Sequence, residues 1–302
     1  MPYRITDRQP LEAELRRIGH EQIDRALAAL GDTSLTAVEG LHAARKCCKK
    51  LRGLGRLVRP RLKKRTWRRL DRHFRDISRQ AAGGRDAAAH ILTYDRVCEH
   101  FADEIDRRGT ASIRAALTRR LRACVEAFES DGRLDHLVAD LEQGRAVIDT
   151  IELDRQAPAN DRFEALWPGF VEAHDRARAQ LRRVRAADEP EAYHEWRKDV
   201  KYHRCHLRLL RAAWPVPMTA FVAEASRLAE RLGHVQDIDA LDTHLRAEPD
   251  GLGDPRHVES FVGFARTLRS ELERETLPLG ERLLAEKGKR VARRLARWYA
   301  AG

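Results

Sequence analysis

Residues 37–58 set Ala44, Leu51, Leu54 and Val58 on one side of a helical projection and an almost unbroken row of cations on the other. The layout returns over residues 190–213, where Trp196, Val200, Leu207 and Leu210 take the apolar side. His203 and His206 also fall on that side, so the second seam is mixed. Extending this reading predicts helices over 8–30, 37–58, 62–82, 85–107 and 111–130. It predicts a second group over 160–186, 190–213, 218–232, 236–247, 256–274 and 280–299. Breaks fall at Gly31-Asp32, Pro60, Gly83-Gly84 and Gly109, then at Pro158, Pro215, Pro217, the Pro249-to-Pro255 loop and Pro278. No segment alternates β-branched and polar residues as a strand does. The predicted fold class is all-α.

The two helices above belong to an internal repeat. At an offset of 152 residues, His42, Arg45, Lys46, Lys49, Arg52, Arg56 and Arg59 match His194, Arg197, Lys198, Lys201, Arg204, Arg208 and Arg211. Thr36 and Glu39 make a Thr-x-x-Glu capping box at the first helix start. Asp188 and Glu191, with Pro190 in the first turn, repeat that start. Asp86 in GGRDAAAHIL and Asp237 in GHVQDIDAL recur at nearly the same spacing. The chain therefore reads as two helical units, 1–150 and 158–302, forming one domain together.

Charge changes the picture from scaffold to site. The net charge is +11, yet His42 to Arg79 alone holds sixteen Lys or Arg against Asp71 and Asp76. One block thus carries more than the whole excess. Smaller basic stretches run from His194 to Arg211 and from Glu281 to Ala300. Arginine outnumbers lysine 49 to 9, and every lysine falls inside these stretches. Around a helix, His42, Arg45, Lys46, Lys49, Arg52 and Arg56 share a face about 120° wide. A solvated basic face is the plain alternative, but such faces usually mix signs, and like charges at i,i+4 destabilise a helix slightly. The repeated all-cation face points to a polyanion that neutralises it.

The remaining patterns exclude more than they add. No stretch is apolar for the length of a membrane span, and the opening MPYRITDRQPLEAEL lacks the apolar core of a secretory leader. The cysteines, Cys47, Cys48, Cys98, Cys124 and Cys205, are odd in number without a CxxC pair, which suits a reducing cytoplasm. There is no phosphate-binding glycine loop, no HExxH and no GxSxG, so no catalytic set and no cofactor are expected. His203, Cys205 and His206 are too compactly spaced for a metal site, and Asp237 and Asp239 read as cap and turn residues.

The doubled pattern H-x-x-R-K-x-x-K-x-x-R-x-x-x-R, at His42 to Arg56 and His194 to Arg208, resembles the CHAD family, the conserved histidine α-helical domain. Gly84 to Asp86 and Leu232 to Asp237 look like the family's later motif in each half. The resemblance implies two antiparallel helical bundles related by a pseudo-two-fold axis. It implies a central basic cleft or pore for inorganic polyphosphate, and a place on polyphosphate granules in the cytoplasm. The ExExK motif of the family's triphosphatase fusions is absent, so the chain looks like the stand-alone form, a binding protein and not an enzyme.

Candidate polyphosphate-binding residues are thus His42, Arg45, Lys46, Lys49, Lys50, Arg52, Arg56, Lys63, Arg65, Arg69 and Arg72 in the first half. In the second half they are His194, Arg197, Lys198, Lys201, Arg204 and Arg208. Lys287, Lys289, Arg290 and Arg293 either line the same cleft or face water. Only the first half continues into a very basic helix, RLKKRTWRRLDRHFR, so a lopsided surface is expected. Both histidines are expected to donate while neutral and to gain charge below about pH 6.5. RNA or DNA is the alternative ligand, opposed by the sparse aromatics near the cations: Trp67, Phe74, Trp196 and Tyr202. An enzyme acting on polyphosphate or nucleotides is a third reading, opposed by the scarcity of carboxylates on the basic helices.

Overall fold

A computed structural model describes residues 3–6, 10–130, 132–154, 162–186 and 190–301. Among them the first half forms α1 (Leu11–Leu30), α2 (Ala37–Val58), α3 (Lys64–Gln80), α4 (Gly83–His100), α5 (Ala111–Ser130) and α6 (Arg133–Asp149). The second forms α7 (Arg162–Ala186), α8 (Pro190–Leu209), α9 (Pro215–Ala247), α10 (Pro255–Leu283) and α11 (Gly288–Ala301). Single 3₁₀ turns, Arg59–Arg61 and Arg211–Ala213, close α2 and α8, and they too lie 152 residues apart. No strand forms among the described residues, where one backbone bridge joins Leu62 to Leu153. None of the described helices is long and apolar enough to cross a membrane.

Local chemistry explains the starts and crossings. Thr36 Oγ1 accepts from the Glu39 amide at 3.3 Å, and the Glu39 carboxylate accepts from the Thr36 amide at 2.9 Å. This is the capping box read from the sequence. Its counterpart Asp188 and the boundary near Pro158 lie outside the described residues. α1 packs on α2, and α7 on α8; α6 returns onto α1, and α11 onto α7. α2 and α8 meet at Gly53 and Cys205, where a Cβ on the glycine would stand 3.0 Å from the cysteine Cβ. Those two positions are equivalent under the 152-residue offset. The Nε2 of His206 donates to the Gly53 carbonyl at 3.1 Å across the same contact. Gly169 lets α7 pass against the last turn of α2, because a Cβ there would overlap the Leu57 carbonyl.

The apolar faces predicted for α2 and α8 are buried, with Ala44, Leu51, Leu54, Val58, Trp196 and Val200 all fully shielded. The core does not stop at the repeat boundary. The largest cluster joins Leu15, Leu51, Leu54 and Phe74 to Leu166, Phe170, Leu207 and Leu295. A second joins Tyr94, Val97 and Leu117 of α4 and α5 to Leu241, Phe261 and Leu268 of α9 and α10. A third lies within the second half, around Trp196, Leu181 and Leu232.

Several element boundaries differ from the sequence reading. α6 was not anticipated; its Leu137, Leu141, Val147 and Ile148 are buried against α1 and α3. α9 runs unbroken through Gly233, where two helices were expected. A helical glycine costs about 1 kcal/mol, which burial of Leu228, Leu232, Val235 and Ile238 on either side offsets. α10 runs through Pro278 because the next residues, Leu279 and Gly280, are buried, the glycine directly against Trp196. The helix expected over 85–107 ends at His100.

Candidate functional site

Each repeated basic helix meets its half's later motif. On α2, His42 and Arg45 face Arg85 and Asp86 of α4; on α8, His194 and Arg197 face Gln236 and Asp237 of α9. Arg85 Nε donates to His42 Nδ1 at 3.2 Å, so the neutral His42 ring carries its proton on Nε2. His194 donates from Nδ1 to the Gln236 carbonyl oxygen, which is the opposite tautomer. Arg197 stands 3.9 Å from Asp237, and Asp86 acts on Arg45 and pairs with Arg85 at 3.4 Å. Asp237 is therefore a mid-helix partner of Arg197, and Asp239 accepts from Arg269 Nε at 2.6 Å; neither is a cap or turn residue.

Lys49 and Lys201 lie between the two constellations. Lys49 feels Arg45, Arg85 and Arg197; Lys201 feels Arg197, Lys49, Arg85 and Arg204. Burial first, then those arginines, pull the Lys49 amine down to about 7. The same causes put the Lys201 amine well below the usual lysine range. Burial, then Arg85, Lys46, Lys49 and Arg45, also hold His42 below the ordinary imidazole value, so its charging shifts below the pH expected from the sequence. Arg45 and Arg197 are lowered too, chiefly by burial, though a guanidinium keeps its proton. The buried Nε atoms of Arg45, Arg56, Arg197 and Arg204 have no hydrogen-bond partner among the described residues. Those of Arg45, Arg197 and Arg204 stand around the two lysines, where cations outnumber carboxylates, whereas Arg56 lies toward Asp199.

The other candidates divide. Lys46 is exposed beside His42. Arg52 Nε donates to Asp71 at 2.9 Å, and Lys198 pairs with Glu195 at 2.6 Å, so both are neutralised locally. Lys50 Nζ donates to Gln22 at 3.0 Å and lies over the Tyr3 ring, as does Arg208, on the side of α2 toward α1. Arg56 lies over Tyr202 at 4.1 Å and Trp67 at 5.6 Å. Lys63, Arg65, Arg69 and Arg72 are exposed at the start and along the outer face of α3. Lys287, Lys289, Arg290 and Arg293 are exposed around the start of α11, which packs on α7 and the 211–213 turn. Arg85 was visible beforehand only as the middle letter of its motif; the contact with His42 across 43 residues was not.

The aromatics near the cations are mostly occupied. Phe74 and Trp196 are fully buried, and Trp67 and Tyr202 flank Arg56. No group of three or more His, Cys, Asp or Glu converges as a metal site among the described residues.

The profile of the CHAD domain matches residues 17–246. The chain belongs to the CHAD family. The CHAD fold extends over nearly all of it. PptA from Streptomyces chartreusis superposes with a TM-score of 0.64 at 15% identity, covering 91% of this chain and all of that one. The CHAD domain from the plant Ricinus communis superposes with a TM-score of 0.59 at 15% identity, covering 93% of this chain and 94% of that one. No match was found among curated proteins.

Proposed function

We propose that this CHAD domain binds inorganic polyphosphate where α2, α4, α8 and α9 meet, as a binding module and not an enzyme. The observation that carries this reading is the convergence of Arg45, Lys49, Arg85, Arg197, Lys201 and Arg204 around orphaned guanidinium donors, with Asp86 and Asp237 as the carboxylates that act among them in the described residues. A linear chain of phosphates supplies acceptor oxygens in rows. Arginine meets them with a planar fork and lysine with a point charge. Counterion release then contributes much of the affinity, which falls steeply with salt. Family membership supports the ligand class, and the granule surface is the expected location. The nucleic-acid reading is weaker, since Phe74 and Trp196 cannot reach a base and Trp67 and Tyr202 already flank Arg56.

The test is competition on the purified protein. Long-chain polyphosphate is held on the protein and challenged with RNA and DNA of equal phosphate content at about 0.15 M salt. A variant carrying Arg45→Ala, Arg85→Ala, Arg197→Ala and Arg204→Ala runs beside it. Preference for polyphosphate, lost in the variant, supports the site. Equal displacement by nucleic acid, or full binding by the variant, overturns it.

A further inference from the structure

We propose that Lys49 and Lys201 form a charge-density filter: they take up protons together with the bound polyanion, so the site favours closely spaced phosphates over sparsely spaced ones. This rests on the polyphosphate reading and specifies which residues set its selectivity.

The geometry is that of a matched pair in a crowded place. Lys49 and Lys201 hold equivalent positions on α2 and α8. Lys49 faces Arg45 on its own helix, Arg85 and Asp86 from α4, and Arg197 from α8. Lys201 faces Arg197 and Arg204 on its own helix, Lys49 from α2, and Arg85 from α4. His42 stands at the rim beside Arg85, and Asp237 of α9 is engaged with Arg197. The contrast with neighbouring lysines is direct: Lys50 has Gln22 and Lys198 has Glu195, whereas neither Lys49 nor Lys201 has a hydrogen bond or ion pair among the described residues.

Residue choice fits this placement. The chain writes 49 of its 58 basic residues as arginine, yet both central positions are lysine. Guanidinium cannot shed its proton, but a crowded, desolvated ammonium can. Lysine therefore lets the empty cluster relax to fewer charges, in line with the lowered Lys49 amine. A polyanion reverses the balance only if it delivers enough negative charge between the two helices to recharge both amines. Polyphosphate has one charge per phosphate with no sugar between. A nucleic acid strand spaces its charges further apart and brings fewer to the same short span.

The experiment is isothermal titration calorimetry of the full chain with long-chain polyphosphate at about pH 8, in two buffers of different ionisation enthalpy, which counts protons taken up on binding. The expected uptake is between about one and two protons per site, with affinity falling about tenfold per proton for each unit rise in pH. Single-stranded RNA of equal phosphate content should give an uptake of less than about half a proton. A Lys49→Met, Lys201→Met variant should take up none through these positions and lose about tenfold of the preference for polyphosphate over RNA. It removes like charge from the cluster, so a thermal melt no lower than the parent's shows that it folds. Any uptake it retains comes from groups other than the two lysines, His42 among them. Polyphosphate binding without proton uptake, or undiminished preference in the folded double variant, overturns the filter while leaving the binding site standing. Absence of polyphosphate binding to the parent chain overturns both.

Discussion

α2 with α4, and α8 with α9, present the same constellation to the site but do not charge it equally. In the first half a guanidinium, Arg85, holds the histidine; in the second half the uncharged Gln236 does so. The helix after α2 exposes Lys63, Arg65, Arg69 and Arg72, while the opening of α9 exposes Trp214, Val216 and Thr219. The buried side differs in the opposite sense. Positions Leu51 and Leu54 of α2 correspond to His203 and His206 of α8, all of them buried. The two halves thus share a helix and its first row of cations and differ in what surrounds them. The first half concentrates charge at the surface, and the second buries three imidazoles, His174, His203 and His206, where the first buries His90.

The largest test of this difference reverses charge at the unequal position. Arg85→Glu should weaken polyphosphate binding by more than about a hundredfold, because it removes a charge-assisted contact and places an anion among the phosphates. Gln236→Glu should cost about tenfold. Equal losses, read by fluorescence titration at fixed salt, would mean that the halves contribute alike.

Next in size is the acid response of the second half. Burial first, with the nearby His174 and His206, keeps His203 well below the ordinary imidazole range, and His206 is pulled down to about 3, chiefly by burial. Below the unfolded value near 6.5 the unfolded chain binds protons that the folded chain refuses, so stability falls as pH falls. Two such rings should remove about 2 kcal/mol between about pH 6.5 and 5.5. Urea unfolding at the two pH values measures this. His203→Leu, which copies Leu51, should reduce the loss by about 1 kcal/mol. The Lys49 amine acts in the same direction over a higher pH range, since its folded value of about 7 likewise lies below the unfolded one. The empty protein should therefore gain stability as pH rises from about 7 toward 9, a gain reduced in Lys49→Met and reduced further in the Lys49→Met, Lys201→Met variant.

A smaller effect comes from making the halves alike. Gln236→Arg should tighten polyphosphate binding about fivefold and lower the melting temperature of the empty protein. The smallest lies on α3: Arg65→Ala, Arg69→Ala and Arg72→Ala together should reduce the slope of log affinity against log salt by up to about three, with little change in stability. An unchanged slope would place α3 outside the polyanion's path.

Much of this was legible in the residues. The buried sides of α2 and α8, their cation rows and the capping box at Thr36 follow from periodicity and side-chain chemistry alone. The misread elements share a physical cause. Gly233 and Pro278 are breakers by local preference, but both sit in helices whose neighbouring residues are deeply packed, and packing outweighs about 1 to 3 kcal/mol of propensity. The site was legible as rows and not as pairings. The sequence puts Arg52 and Arg45 on one face with equal claims, and only the fold brings Asp71 to the first and Arg85 to the second. The aromatic neighbours show the same limit, since Trp67 and Tyr202 are 135 positions apart and both rings lie against Arg56.

The core that ignores the repeat boundary has a consequence for how such a chain comes apart. α4 and α5 bury Tyr94, Val97 and Leu117 against helices of the other half, so neither half can shed its neighbour without exposing oil to water. Cutting the chain between α6 and α7 should yield two sticky fragments that regain their fold only when mixed. The intact protein should melt in one cooperative step, read identically by Trp196 of the second half and by a probe on α5 of the first. Each half takes the place of solvent for the other's apolar face.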